Sequence, residues 1–189
     1  PRDRGTLIHS MMEIALRNLE EQLSEIPNPQ TRKKEFEKWL DRIKTDSFYD
    51  DLYRESVKAI GITTFQDGAI VAAQGRRIKR HVRAALWYSA TIINPDGFFP
   101  HFFEWVFPPH EQSSTYQELE LSDAEPKVYL RGVIDRVDLN DSGQYRLYDY
   151  KTGSKKLEPE RINLGLDLQL GLYQKIWQIN HPDQTAAQI

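Results

Sequence analysis

The stretch GVIDRVDLNDSGQYRLYDYKTG, residues 132–153, decides how this chain folds. Val128 to Leu139 and Tyr145 to Tyr150 are rich in β-branched and aromatic residues, and Asn140-Asp141-Ser142-Gly143 between them is a turn signal, so the pattern predicts a β-hairpin. Side chains alternate along a strand. Asp149 and Lys151 therefore share one face, Tyr148 and Tyr150 take the other, and Asp138 faces away from Asp135. The separation of Asp135 from Asp149 is even, so an odd-length loop such as Asp141 to Gly143 sets the two acids opposite each other, with Gly143 suited to the left-handed position.

Opposed side chains in a hairpin lie about 5 Å apart at Cβ. Two carboxylates at about that distance repel by roughly 3 kcal/mol at an effective dielectric near 20, a cost that a shared divalent cation reverses. All-oxygen ligands favour magnesium or manganese. Lys151 beside such an ion would orient or deprotonate a water, or stabilise charge developing on a phosphate. An isolated Asp-x-Lys is more often a solvated surface pair worth under about 1 kcal/mol. Two further features single this one out: Asp135 is embedded in an apolar strand, and the hairpin is flanked by Gly5-Thr6-Leu7-Ile8-His9 on one side and Gln169-x-x-x-Tyr173 on the other.

The ordered series GTLIH, GVIDRVD, DYKTG and QLGLY resembles the motifs of PD-(D/E)XK nucleases of the RecB and AddB type, from Gly5 to Tyr173, with a long middle region that has no residue-by-residue match. The resemblance implies that His9, Asp135 and Asp149 are metal ligands, that the main-chain carbonyl of Tyr150 completes the set, and that Lys151 is the catalytic lysine. It also implies that Gln169 and Tyr173 line the site and position nucleic acid. Members of this group with an iron-sulfur cluster carry four cysteines around the core. This chain has none, so it resembles the cluster-free branch.

Of 189 residues, 39% are hydrophobic, enough for a chain of this length to bury roughly 70% of its unfolded surface, and one domain is the expected count. No apolar run approaches the roughly 20 residues needed to span a bilayer, and no signal peptide is visible, so no membrane association is expected. The absence of cysteine excludes disulfides and thiolate metal sites and fits a cytoplasmic protein. A net charge of −3 does not suit a general nucleic-acid coat protein, but charge is unevenly distributed. Arg76, Arg77, Lys79, Arg80, His81 and Arg83 form a basic run that reads either as a phosphate contact, with Arg76 and Arg80 as candidates, or as a solvated helix face.

Helices come first along the chain and the sheet second. Leu7 to Leu23 is an amphipathic helix with Thr6 as the expected N-cap, His9 in the first turn and Glu13 one turn on. Without the hairpin motifs, a lone histidine there would more often be a surface or core residue than a ligand. Two helices follow between Pro29 and Ile60, separated near Asp46 and Ser47, and Asp67 to Ile93 is a long helix in which Trp87 and Tyr88 are expected to pack in the core rather than stack on a base. Phe102 to Phe107 is the first expected strand. Its Glu104, between Phe103 and Trp105, reads equally as a metal-site acid or as a strand-edge charge. Tyr116 to Leu121 is a candidate short strand in an acidic loop, Leu166 to Ile179 is helical, and Thr185 to Ile189 begins another strand. Helical spacing places Gln169 and Tyr173 one turn apart, an arrangement that ordinary helix packing would equally produce.

Together these features predict an α/β, restriction-endonuclease-like core: a central mixed sheet flanked by helices, with an N-terminal helical elaboration over about 28–94 and the sheet and site over about 98–189. The expectation is a single domain over 1–189, cut from the C-terminal part of a larger protein. What the resemblance implies functionally is a magnesium- or manganese-dependent deoxyribonuclease of exonuclease type, with Arg136 and Thr152 contacting nucleic acid or supporting the site, a structural salt bridge and a turn contact being equally open roles for them. Its substrate would be single-stranded DNA or a duplex end, and its setting a helicase-nuclease subunit, with a helicase partner, in double-strand-break repair and recombination. A stand-alone exonuclease and an inactive DNA-binding or scaffolding module are the alternatives. No Walker-type phosphate loop is present, so any motor lies elsewhere.

Overall fold

In the computed structural model, residues 2–61, 69–95, 97–109, 116–120, 129–151 and 168–187 are described. The chain divides into two compact units, Pro1–Pro100 and His101–Ile189.

The first unit is helical. Helix α1 (Arg2–Ser24) packs against α2 (Pro29–Arg42), α3 (Asp46–Ile60) and α4 (Ala69–Ile92). Leu7, Met11, Met12, Ala15, Leu16, Leu19 and Leu23 of α1 are all buried, a spacing of three and four residues that turns one broad stripe inward. Phe36 and Trp39 from α2, Tyr49 and Leu52 from α3, and Ile78, Val82 and Leu86 from α4 are also buried. Local chemistry fixes the ends of these helices. The Asn28 side chain accepts the Thr31 N–H at 3.0 Å with Pro29 at the first turn, and Gly61 closes α3 with φ +70°, a conformation that a β-carbon disfavours. Helix α1 starts at Arg2, so the expected Thr6 cap is corrected: Thr6 is inside the helix, because the apolar stripe ends before the hydrogen-bonded turns do.

The second unit contains the sheet, in the order β1-β2-β3-β4, and a helix. Strands β1 (Phe99–Phe107), β2 (Gly132–Leu139) and β3 (Gln144–Tyr148) are followed by α5 (Gln169–Asn180) and the short β4 (Thr185–Ala186). β2 and β3 pair antiparallel and β3 and β4 parallel, which makes the sheet mixed and the fold α/β, as expected. Tyr116 to Leu121 is not a regular strand among its described residues: a single antiparallel bridge joins Glu120 to Tyr129. The Asn180 amide holds this segment to α5, donating to the Gln117 carbonyl at 2.9 Å while its oxygen accepts the Gln117 N–H at 2.8 Å.

The core of this unit is Phe107, Leu119, Ile134, Val137, Tyr145, Tyr173, Ile176 and Trp177. Trp177 is fully buried, with Phe102 and Trp105 edge-on at 5.1 and 5.2 Å and the His181 ring stacked at 3.8 Å. Phe107 passes so close to Gly132 that a β-carbon there would lie 2.7 Å from the ring. Phe107 is itself wedged against Trp105 and Tyr173. Gly132→Ala is therefore expected to destabilise the chain by about 1–3 kcal/mol through overpacking, measured as a lower midpoint in urea. An unchanged midpoint would show that the ring has room to move.

Candidate active site

The hairpin register is the one the loop parity predicts. Arg136 pairs with Tyr148, Val137 with Leu147, Asp138 with Arg146 and Leu139 with Tyr145. Asn140 and Gln144 close a three-residue loop: the Asn140 N–H donates to the Gln144 carbonyl at 3.0 Å, the Asn140 side chain accepts the Gln144 N–H at 2.9 Å, and Gly143 has φ +73°. One further step of the same register sets Asp135 opposite Asp149. Beyond β3 the chain stays close to β2, because the Asp135 carboxylate accepts the Tyr150 N–H.

The two faces of the hairpin carry different chemistry. On one face Arg136 is fully buried. Its Nε and Nη2 donate to the two carboxylate oxygens of Asp138 at 2.5 and 2.6 Å, and its plane lies 4.3 Å above the Tyr148 ring. Nη1 reaches the Tyr150 hydroxyl at 3.4 Å, and burial pushes the pKa of that hydroxyl up to about 12, so it stays protonated. Arg136 is thus corrected as a nucleic-acid contact: its guanidinium is shut away from solvent and occupied by Asp138, which is the structural salt bridge among its expected roles.

On the other face lie the acids and the lysine. Asp149, largely buried, accepts from Lys151 Nζ at 2.5 Å and from the Gln169 amide at 2.9 Å. Gln169 also accepts from Lys151 Nζ at 2.7 Å and donates to the Tyr173 hydroxyl at 2.7 Å. The expected one-turn relation of Gln169 and Tyr173 on α5 therefore does more than fill the core. It ties the acid, the lysine and the helix into one network.

Glu104 has φ +48°, a left-handed backbone that costs a residue with a β-carbon about 1–3 kcal/mol and that recurs at functional sites. The kink is visible in the packing. Phe102 and Trp105, three residues apart, both contact Trp177, which a strand of strict period two forbids. Glu104 is turned so that one of its carboxylate oxygens lies within 4.8 Å of one from the buried Asp135. Two close carboxylates, one of them buried, form an oxygen donor set of the kind that fits magnesium or manganese. The irregular strand is the signal the sequence lacked: a glutamate between two aromatics gives no warning of a left-handed residue.

His9 is on α1 of the helical unit and half-buried, and Thr152 is outside the described residues. Arg76 and Arg80 are exposed on α4. Trp87 and Tyr88 are corrected: at 48% and 67% exposure they are surface residues, because the buried stripe of α4 runs through Ile78, Val82, Leu86 and Ser89.

Sequence comparison agrees with this geometry. A protein from Alkaliphilus oremlandii, named as a subunit of an ATP-dependent helicase/deoxyribonuclease, is 30% identical over 174 residues, 90% of this chain and 14% of the relative. The proteins of the same name from Natranaerobius thermophilus and Thermoanaerobacter pseudethanolicus are 40% identical over 59% of the chain and 27% identical over 92%, respectively. This chain spans only 9% and 14% of their lengths. The model of the PD-(D/E)XK nuclease superfamily matches residues 1–188, and the chain belongs to that superfamily.

Proposed function

We propose that this chain is a metal-dependent deoxyribonuclease domain that hydrolyses phosphodiester bonds in DNA. The observation that carries the reading is the network of Asp149, Lys151 and Gln169 beside the Asp135 and Glu104 carboxylates. Asp135, Asp149 and Glu104 would hold magnesium or manganese, with the Tyr150 carbonyl and His9 as further ligands on the strength of the motif order. A bound divalent ion of this class supplies Lewis acidity toward a phosphoryl oxygen and lowers the pKa of water. Lys151 would hold the attacking water or offset charge on the phosphate, its ammonium held by the hydrogen bond to Gln169. Tyr173 orients Gln169 in turn. Thr152 is a further candidate contact at the end of the motif.

The names of the relatives support a wider setting: a domain of a longer helicase-nuclease subunit, working with a helicase partner on single-stranded DNA or duplex ends, as an exonuclease in break repair and recombination. The absence of cysteine suits a cytoplasmic location, and among the described residues no helix is long and apolar enough to cross a membrane.

The test is cleavage of end-labelled single-stranded and duplex DNA by the 189-residue chain over a titration of magnesium, manganese and calcium. Products are expected with magnesium or manganese and not in excess chelator. Cleavage that persists undiminished in chelator would falsify the metal-dependent reading.

A further inference from the structure

Helix α4 carries five arginines and lysines and no acidic residue. The basic run divides into two arcs. Lys79 pairs with Asp50 and Arg83 with Asp46, both on α3, and the Arg83 guanidinium lies 4.6 Å over the Tyr49 ring. Those two cations are occupied within the helical unit. Arg76, Arg77 and Arg80 are exposed and have no ion pair among the described residues.

At about 100° per residue, Arg76, Arg80 and Trp87 fall on one edge of an arc about 120° wide, and Arg77, Ala84 and Tyr88 on the other. The arc is about 18 Å long from Arg76 to Tyr88 at about 1.5 Å per residue. It begins in guanidinium groups and ends in two large rings at 48% and 67% exposure. His81 lies among the same cations: burial and the neighbouring Arg4, Arg77 and Arg80 hold its pKa below the usual histidine value, so at neutral pH it does not add to their charge.

We propose that this arc of α4 is a contact surface for single-stranded DNA, with Arg76, Arg77 and Arg80 on successive phosphates and Trp87 and Tyr88 stacked on bases. Exposed rings need bases whose faces are free, which a duplex does not offer, and the unopposed guanidiniums need an anionic partner. A neutral protein partner would satisfy the rings and leave the arginines without a counter-charge. The inference rests on the nuclease reading for its choice of polyanion, and adds to it a binding surface remote in sequence from the acids.

The test is fluorescence anisotropy of a labelled oligothymidylate with the 189-residue chain in chelator, so that binding is read without cleavage, beside a duplex of equal length. Arg77→Ala/Arg80→Ala and Trp87→Ala/Tyr88→Ala are each expected to weaken single-strand binding about tenfold. The arginine pair should also reduce the salt slope by about 0.7 for each phosphate no longer neutralised, and Trp87→Phe should retain most of the affinity that Trp87→Ala loses. Thermal unfolding of each variant identifies any weakening that comes from the fold. The proposal is overturned if both double variants bind within twofold of the parent, if the parent does not bind the oligonucleotide, or if these substitutions instead abolish self-association of the chain. Failure of the nuclease reading would appear separately, as absence of cleavage with magnesium.

Discussion

Lys151→Ala is expected to lower DNA cleavage about 10²- to 10⁴-fold while leaving the unfolding transition within about 1 kcal/mol of the parent. The two expectations come from the same geometry. The Lys151 side chain is 54% exposed, and an ion pair at such a position contributes roughly 0–1 kcal/mol to stability, because water solvates the ammonium almost as well as Asp149 does. Its chemistry, by contrast, depends on position. Removing one charge-stabilising or proton-handling group from a preorganised site typically costs two to four orders of magnitude. Asp149→Ala should match the fall in activity with an equally small change in stability, within about 1 kcal/mol, since the Gln169 amide and the Lys151 ammonium that converge on its carboxylate are both exposed and water can take its place. The measurement is single-turnover cleavage at saturating magnesium alongside urea unfolding. Lys151→Ala cleaving at the parent rate would remove the lysine from the mechanism.

Asp138→Ala should have the largest effect on the fold, about 3–5 kcal/mol. It leaves the Arg136 guanidinium, fully buried, without the carboxylate that accepts two of its N–H groups. Against a total stability of about 5–15 kcal/mol, such a loss brings the chain close to unfolding. The pair itself need not be stabilising relative to apolar residues, because desolvating both charges offsets much of their attraction. Arg136→Met/Asp138→Leu is therefore expected to recover most of the stability that Asp138→Ala loses. Urea midpoints for the three proteins separate the cases. A loss under about 1 kcal/mol in Asp138→Ala would mean that Arg136 finds water or another acceptor.

The hairpin was legible in the sequence because strand alternation puts Asp135 and Asp149 on one face, and the turn signal centred on Ser142 sets them opposite each other. The Gln169–Tyr173 relation was legible for a similar reason, helical spacing. What the sequence did not disclose depends on neighbours distant along the chain. Trp87 and Tyr88 belong to an apolar cluster in composition, but the direction in which α4 faces is set by its packing against α1 and α3, and that leaves both rings outside. For Arg136 the sequence leaves a nucleic-acid contact and a structural salt bridge equally open until Asp138 two residues on, and Tyr148 across the ladder, are seen to enclose it. Glu104 needs its bent strand, and no propensity scale announces a left-handed glutamate.

The three-residue loop from Asp141 to Gly143 also limits how the chain can vary in length. If a residue gained or lost there slipped β3 by one position against β2, the faces of the distal strand would exchange. Tyr148 and Tyr150 would turn toward the acids, and Asp149 and Lys151 toward the sealed guanidinium of Arg136. Such a change would disable the site and unbalance the buried charge together. Tolerated length differences in this turn should therefore be those that the loop absorbs while Arg136 stays opposite Tyr148, a constraint imposed on the gene by the pleat of a strand.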